Sequence, residues 1–391
     1  MLYTQRNITI YLLFFLISSS FSYANNNKVT FSHPGSINSK HSLDFIKGKI
    51  HGNKQPWFDE FNSIKTSLHA TRKPNAFITI NAKNNTQASE MQNDAIAAYS
   101  QALLWYFSDD IVYANRAITI LNAWSAFEGF ISGTDQDKLL AGWAGAVFAS
   151  AAEIMRSYEH WKPNEIKQFQ RMFKRSFYPQ LLIASSWNGN VDLTQIAALI
   201  SIAVFTDDEN AFNSALKRLE KRNPAYFYLH SDPHELREIL GDGDDINHFW
   251  GYPTKWVNGL TQETCRDNGH HSQFALGAAI HVAEVAWNQG VDIYSKNQTR
   301  YVAALELLAS QLLSNEVDTC KNKLATTSRF NTWEIGYNHY HNRADIALPF
   351  TKTLIESEIR ANSQRAVWNL VYETLTHAKL PKYYEDRVKS R

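Results

Sequence analysis

The stretch DAIAAYSQALLWYF, Asp94 to Phe107, decides the fold class of this 391-residue chain. Its apolar side chains recur every three or four residues, at Ile96, Tyr99, Leu103 and Tyr106. That period places them on one face of an α-helix, whereas the side chains of a strand change face at every residue. The stretch therefore predicts an amphipathic helix whose apolar face packs against other helices.

The same period recurs along most of the chain. It predicts further helices in YANRAITILNAWSAF, LLAGWAGAVFASAAEIM, VDLTQIAALISIAVF, QFALGAAIHVAEVAW, YVAALELLASQLL and NSQRAVWNLVYETLTHA. In the third of these, Asp192 and Gln195 occupy capping-box positions and predict the start of the helix. Strand-like alternation is short and best seen in AFITINA, residues 76–82. Moderate helices joined by polar connections predict an all-α fold of helical hairpins packed in a ring or solenoid, with clefts formed by the loops at the helix ends.

The first 24 residues have the pattern of a secretory signal peptide. Arg6 precedes an apolar run from Ile8 to Ile17, and Ser22-Tyr23-Ala24 fits a small-x-small cleavage site. The run is too short to span a bilayer. We therefore expect an exported, periplasmic or secreted protein whose mature chain, residues 25–391, forms one domain.

The charge balance limits the classes of partner. The chain has 39 Lys and Arg against 38 Asp and Glu, and removal of residues 1–24 makes the two equal. A neutral chain has no global field for nucleic acid or anionic lipid, so an acidic partner must be held by a local basic cluster. We expect neither nucleic acid nor a membrane as a partner, and the oligomeric state stays open.

Two cysteines, Cys265 and Cys320, are present. In an exported protein such a pair predicts one disulfide. A thiol nucleophile is the weaker alternative. A bridge would tie the loop at Cys320 to the segment around Arg266.

Three polar clusters lie between the helices. In SSWNGNVDLT, residues 185–194, Asn188 and Asn190 come just before a helix, where Asn is a common turn and cap residue. The functional alternative is that Asn190 presents an amide at the mouth of a cleft, near the positive end of that helix.

The second cluster, ETCRDNGHHSQFALG, residues 263–277, places Arg266, His270 and His271 at the start of a helix after the turn at Gly269. Packing of this helix would require only the apolar residues that follow, so it does not explain the charged and imidazole side chains. Structural histidines and a catalytic group are both compatible with this pattern.

The third cluster, TWEIGYNHYHNRADIALP, residues 332–349, carries Tyr337, His339, Tyr340, His341 and Arg343 within seven residues. Such a run has little packing rationale in water, so we expect it to be functional. A zinc site of three histidines is an alternative, but HExxH and Cys/His finger spacings are absent from the sequence. A glycosidase would need a pair of carboxylates, and nothing in the sequence pairs the available ones.

Two further segments are candidate substrate contacts. KTSLHATRKPN offers the basic residues Lys65, His69, Arg72 and Lys73, either as a solvated loop or as a lid that grips an acidic ligand. HFWGYPTKW offers His248, Trp250 and Tyr252 for sugar stacking, with core packing an equal alternative for its tryptophans.

Together these segments resemble the alginate lyase domain family of polysaccharide lyases. The resemblance is carried by WNGNVDLTQIAALISIAVFTDD, QETCRDNGHHSQFALGAAIHVAEVAWNQGVDIY and TWEIGYNHYHNR, and the helices from Ala97 to Phe127 are similar to the family's first hairpins. It extends from about Asp94 to Pro349, and RDxGH and YNHYHNR are its most specific parts. It implies an incomplete (α/α) toroid, export, and β-elimination on a uronate-containing polysaccharide, with alginate the leading substrate and glucuronan next.

The resemblance also implies roles for individual residues. β-Elimination needs the C5 carboxylate neutralised, a base for the C5 proton and an acid for the departing O4. Asn190 and Arg266 would serve the first need, and Tyr337 would be the acid, oriented by His339 and His341. Better-known members have His where this chain has Val191, and a Tyr shortly after the Arg. Since that Tyr is missing here, His270 and His271 are alternative candidates for the base.

No cofactor or metal is expected, because side chains can neutralise the carboxylate. Two other classes remain as alternatives: a non-catalytic periplasmic polysaccharide-binding protein, and a glycoside hydrolase on the same (α/α) ring.

Overall fold

All but the last of the periodic segments are helical in the structure, a computed structural model that describes residues 30–233, 246–267, 269–321, 328–361 and 366–382. The expected signal peptide lies outside the described residues. The α-helices are, in chain order, α1 Lys40–His51, α2 Trp57–Thr66, α3 Asn85–Ser108, α4 Ile111–Trp124, α5 Asp135–Met155, α6 Pro163–Met172, α7 Tyr178–Leu181, α8 Gly189–Phe205, α9 Glu209–Tyr226, α10 Ile246–Phe249, α11 His270–Asn288, α12 Gln298–Ser314, α13 Glu334–Tyr337, α14 Pro349–Leu354 and α15 Glu373–His377. Single π-helical turns follow three of them, at Phe173–Phe177, Asn338–Arg343 and Ile355–Ile359.

Four long helices, α3, α5, α8 and α11, pack successively against one another, and α4, α9 and α12 pack on the outside of α3, α8 and α11. Contacts between α5 and α8 occur at positions that increase along both helices: Gly142 lies against Thr194, and Gly145 lies against Ala198. The two helices are therefore parallel. This is the arrangement of helical hairpins, each with an inner and an outer helix, that the sequence predicts.

Two short strands support the parallel arrangement. β1, Thr79–Ile80, pairs in parallel with β2, Gly129–Phe130, and each strand comes just before an inner helix. The strand expected in residues 76–82 is thus present but only two residues long.

The inner helices form the core. α5 is long and apolar enough to cross a membrane by length and composition alone, but 83% of its most apolar window is buried inside the structure. Its apolar surface is therefore used for packing against neighbouring helices.

The start of α8 differs from the prediction. Asn188, with extended backbone at φ −84° and ψ 168°, occupies the N-cap position, so α8 begins three residues before Asp192. Asp192 is buried and ion-paired with Arg218 and Arg222 of α9; the Arg222 Nε to Asp192 Oδ2 distance is 2.7 Å. The capping role predicted for Asp192 was wrong, because two arginines on the outer helix hold this carboxylate.

The last predicted helix is also shorter than expected. Of its described part, residues 366–378, only Glu373–His377 is helical, and Val367 and Leu370 form an isolated antiparallel bridge before it. The Tyr372 hydroxyl lies 2.8 Å from the Ser100 hydroxyl of α3, and the Glu373 carboxylate accepts a 3.2 Å hydrogen bond from the Ile335 backbone. These tertiary contacts outweigh the local helical period.

Cys265 and Cys320 are bridged, as predicted. Pro253 pairs with Cys320 in an isolated bridge, and the Thr254 backbone donates to the Thr319 carbonyl at 2.8 Å. The disulfide therefore joins the segment that precedes α11 to the loop at Cys320, and backbone pairing joins that loop to the one at Pro253.

Candidate active site

The N-terminal ends of α8 and α11 meet at one side of the structure. The Gly189 backbone donates to the Gln262 side chain at 2.8 Å, and the chain then runs from Gln262 into α11. Deeper in the pair, the hydroxyl of Ser201 lies 2.8 Å from Nε2 of His281, so these helices are also parallel. Two helix N-termini lying side by side give this side of the structure a positive potential that suits an anionic ligand.

Gly269 shapes the start of α11. Its φ of +80° lies in the left-handed region, where residues with a side chain are strained. The turn at Gly269 directs the chain into the helix, so that His270 and His271 become its first two residues.

Glu263 is the centre of the hydrogen bonding at this site. Its carboxylate is fully buried. One oxygen accepts from Asn190 Nδ2 at 2.8 Å and from Arg266, and the other accepts from the Tyr226 hydroxyl at 2.5 Å. In the amide orientation that satisfies its neighbours, Asn188 donates to the same carboxylate at 3.1 Å and accepts from Arg266. One buried carboxylate thus connects residues from three segments.

Burial controls the ionisation of this cluster. It raises the pKa of Glu263, against the lowering effects of His271 and Arg266. Burial and the adjacent Glu263 carboxylate raise the pKa of Tyr226 far above its usual range, so its hydroxyl stays protonated and donates. The Arg266 side chain is still 37% exposed, so part of it is accessible to solvent.

The two histidines have different environments although they are adjacent. His271 is hydrogen-bonded through Nδ1 to Asp267; burial lowers its pKa, but this bond and the nearby carboxylates outweigh burial and raise it above 6.5. Burial and the positive charge of His271 lower the pKa of His270 below 6.5. The two imidazoles therefore have pKa values that are shifted in opposite directions, His270 towards the neutral form and His271 towards the protonated form. Such divided pKa values are typical of an acid and a base.

The third cluster does not meet this site. Gly336 packs against Ile280, and Arg343 is ion-paired with Glu284 at 2.8 Å, so this segment runs beside the second half of α11. Glu284 lies fourteen residues after His270, about 21 Å along the helix axis.

Within that segment, His339 and Tyr340 have buried partners. The His339 ring is stacked on Tyr294 with centroids 3.5 Å apart, and burial, helped by Arg343, lowers its pKa to about 3. The Tyr340 hydroxyl donates to the Tyr294 carbonyl at 3.1 Å. Polymer contacts by His339, Tyr340 and Arg343 are incompatible with this conformation, because their polar groups are used inside the protein.

Tyr337 packs within the third segment. Its side chain is stacked on His341, with centroids 4.7 Å apart, and the residue is 7% exposed. Burial and the carboxylate of Glu356 raise its pKa. Its charged neighbours are Glu356, Arg360, Glu334 and Glu306, none of which belongs to the Glu263 cluster. The geometry therefore favours the histidine pair over Tyr337 for proton transfer.

The basic residues of KTSLHATRKPN, residues 65–75, differ in whether they are paired with other side chains or exposed to solvent. Arg72 is ion-paired with Glu90 and with Asp94, whose Oδ1 lies 2.6 Å from Arg72 Nε. His69 is half-buried, and burial followed by the charge of Arg72 lowers its pKa. Lys65 and Lys73 are exposed. Of these four residues, only the two lysines could offer an accessible, unneutralised charge to a polyanion.

In the segment HFWGYPTKW, residues 248–256, the expected sugar stacking by Trp250 was wrong. Trp250 is fully buried against Tyr228 and Leu260, so it cannot stack on a sugar. His248 is exposed, and Tyr252 is 58% exposed. Gly251 lies against the backbone of Cys265 and Arg266, where a Cβ atom would come within 2.6 Å, so the exposed Tyr252 belongs to a loop that touches the cleft segment.

The histidines expected in the zinc alternative are not brought together. His339 packs on Tyr294, whereas His270 packs on Phe274 and Phe330. Among the described residues, no group of three His, Cys, Asp or Glu side chains is arranged to hold a metal ion.

Sequence reasoning missed two residues of the site. Glu263 is one of the carboxylates available to the hydrolase alternative, and Tyr226 lies outside the three polar clusters. The i,i+3 spacing of Glu263 and Arg266 was an available signal for their pairing. Tyr226 ends an outer helix and carried no local signal.

The model of the family described as alginate lyase matches residues 40–226 and 258–318, which is more than half of the chain. Among curated proteins, no significant match was found.

Several solved structures are similar in fold. Alginate lyase A1-III from Sphingomonas species A1 has a TM-score of 0.58 and 14% identity, over 82% of this chain and 92% of that one. A His→Ala variant of A1-III complexed with a tetrasaccharide gives 0.59 and 14%, over 83% and 92%. An alginate lyase from Bacteroides ovatus gives 0.56 and 14%, over 88% and 99%.

At such identities these similarities establish the fold, and they confirm the predicted (α/α) toroid. The family resemblance expected from the three polar segments is confirmed by the family match. The chain belongs to the alginate lyase family and is a polysaccharide lyase.

Proposed function

We propose that the protein depolymerises alginate or a closely related polyuronate by β-elimination, in the cleft at the N-terminal ends of α8 and α11. The observation that carries the proposal is the histidine pair with divided pKa values, His270 and His271, beside the partly exposed Arg266. A hydrolase would instead need two carboxylates flanking the bond. In this cluster Glu263 is fully buried and Asp267 is bonded to His271.

Arg266 is proposed to neutralise the uronate carboxylate, and the buried Asn190 is proposed to help hold Arg266 in place through their shared partner Glu263. Arg266 can turn its remaining N–H groups to the carboxylate while Glu263 holds its other side. Asn190 contributes through the amide network with Glu263 and lies in the first turn of α8, where the helix dipole adds positive potential. Stabilising the negative charge that develops as the C5 proton leaves is the main task of such groups.

His270 is proposed as the base and His271 as the acid. Neutral His270 takes the C5 proton, the C4–O4 bond breaks, and a C4=C5 double bond forms in the uronate. The departing O4 receives the proton of His271, whose charged form is supported by Asp267. The product is an unsaturated uronate and a new reducing end, with no water added.

Lys65, Lys73, His248 and Tyr252 are proposed to contact neighbouring sugar units. All four are exposed. The lysines supply the local positive charge that the neutral chain lacks, and the ring of Tyr252 supplies an apolar face next to the Arg266 segment.

We also propose that the protein is exported. Residues 1–24 have the signal-peptide pattern, and the bridge between Cys265 and Cys320 suits an oxidising compartment. The mature exported chain should begin at Asn25, which mass analysis of its N-terminal peptide would test.

The experiment that tests the function is incubation with alginate, polymannuronate, polyguluronate and glucuronan while the ultraviolet absorbance of the unsaturated product is followed. His270→Gln should abolish the signal, and Tyr337→Phe should retain it within about threefold, because positioned proton transfer contributes about 10²–10⁴-fold. Reducing ends without absorbance would indicate a hydrolase, and binding without either signal would indicate a binding protein. Loss of activity in Tyr337→Phe alone would reverse the assignment of the acid.

A further inference from the structure

The turn before α15 brings a tryptophan to the site from outside the segments matched by the family model. Val367 and Leu370 are bridged, and Trp368 between them has a φ of +50°. A bulky residue rarely adopts this conformation unless its surroundings hold it there. The family match ends at residue 318, so this turn lies outside it.

The turn is fixed to the interior of the helical ring. The Tyr372 hydroxyl lies 2.8 Å from the Ser100 hydroxyl, and Nε2 of His377 lies 3.2 Å from the Ile37 carbonyl. Both contacts are buried. The segment that carries Trp368 is therefore anchored to the interior of the helical ring.

The Trp368 ring lies against residues of the proposed catalytic cleft. Its centroid is 4.8 Å from Phe274, 6.1 Å from His270 and 5.4 Å from Trp143 of α5. Trp368 and Trp143 are tilted by 34° and each is half-buried, so both keep part of their surface open to solvent. Trp124, Trp161, Trp250 and Trp333, by contrast, are almost fully enclosed.

We propose that Trp368, backed by Trp143, forms a platform on which one pyranose ring of the polyuronate rests beside His270. The apolar C–H face of a sugar ring can pack on the exposed part of an indole ring. A sugar ring bound there places its C5 proton within reach of the neighbouring His270. The ligand class is a uronate oligosaccharide of at least two units. This inference rests on the proposed function.

The test uses the full-length mature protein and a saturated uronate tetrasaccharide. Trp368→Ala should raise KM about three- to tenfold, the range expected for one aromatic contact, and lower kcat by less than twofold. In a His271→Ala background, which should not turn over, calorimetry should find the tetrasaccharide affinity weakened by the same factor. Trp368→Phe should keep the affinity within about twofold but lose most of the ligand-dependent change in tryptophan emission.

Trp105→Ala is the matched control. Trp105 is also half-buried and packs edge-on against Tyr158 at 5.1 Å, but it lies near the C-terminal end of α3. The Trp105→Ala variant should be less thermally stable than the wild type, as Trp368→Ala should be, but its KM should be unchanged.

Unchanged KM and affinity in Trp368→Ala, or an unchanged emission response in Trp368→Phe, would overturn the platform. If Trp368→Ala does not fold, the Trp368→Phe emission response decides. A wild type that releases no unsaturated product from any polyuronate would overturn the proposed function instead. The platform would then stand or fall on whether Trp368→Phe removes the emission response to bound tetrasaccharide.

Discussion

Glu263 connects the polar side chains of the candidate site. Asn190, Arg266 and Tyr226 all donate to its buried carboxylate. A buried acceptor with this many donors is costly to alter, since each lost bond leaves a donor unsatisfied in a low-dielectric setting. The position of Arg266 in the cleft therefore depends on a residue that itself touches no substrate.

Glu263→Gln should lower kcat by up to about 10²-fold, because the amide N–H₂ group would face donors and displace Arg266. The free energy of unfolding should fall by about 1–3 kcal/mol. Steady-state kinetics and denaturant unfolding measure the two effects. Glu165→Gln is the control, since Glu165 also accepts from an Asn amide, at 3.0 Å from Asn122, but lies on the outer helix α6. Wild-type kcat in Glu263→Gln would contradict the positioning role.

The histidine pair predicts a bell-shaped pH dependence of kcat/KM. Protonation of His270, whose pKa is lowered below 6.5, should give the acidic limb. Deprotonation of His271, whose pKa is raised above 6.5 by Asp267, should give the basic limb. Asp267→Asn removes the group that favours the charged form, so the basic limb should move to lower pH by roughly one unit or more. Asp318→Asn, which loses only a surface pair with Lys255, should leave both limbs in place. A basic limb that does not move would show that His271 is not the acid.

At the scale of elements, the disulfide joins the segment before α11 to the loop at Cys320. Its partners are 55 residues apart in sequence, and closing a loop of that length removes about 4 kcal/mol of unfolded-state entropy. The Arg266 segment lies directly after Cys265, so the bridge also restrains a residue of the cleft.

Replacing Cys265 and Cys320 together by Ser should lower the free energy of unfolding by about 2–4 kcal/mol. It should also raise KM, because the Arg266 segment loses a fixed partner. Denaturant unfolding and kinetics measure the two effects, and titration of the denatured, unreduced wild type should find no free thiol. Two titratable thiols in the wild type would overturn the bridge.

At the scale of the whole molecule, the helical period of the sequence predicts the fold class because each inner helix buries an apolar face of its own. The site was predictable where polar residues stand at helix starts, as at Asn190 and His270. It was not predictable where burial depends on distant packing. Trp250 and His339 have the composition of binding residues, but contacts with other segments enclose them. The YNHYHNR run lies beside the second half of α11, and no local pattern encodes that placement.

Activity should survive exhaustive chelation. Arg266 is proposed to neutralise the carboxylate, so turnover should not require a divalent cation. The assay is alginate cleavage after dialysis against EDTA, with the untreated protein as control. Loss of turnover that zinc or calcium restores would contradict this expectation.

The most direct test of the central claim is the mass of the products formed from a saturated uronate tetrasaccharide. β-Elimination adds no water, so one product of each cleavage should be lighter than the saturated oligosaccharide of the same length by one water molecule. That result, lost in His270→Gln, is what the account predicts. Only saturated products, with one water gained for each bond broken, would contradict it.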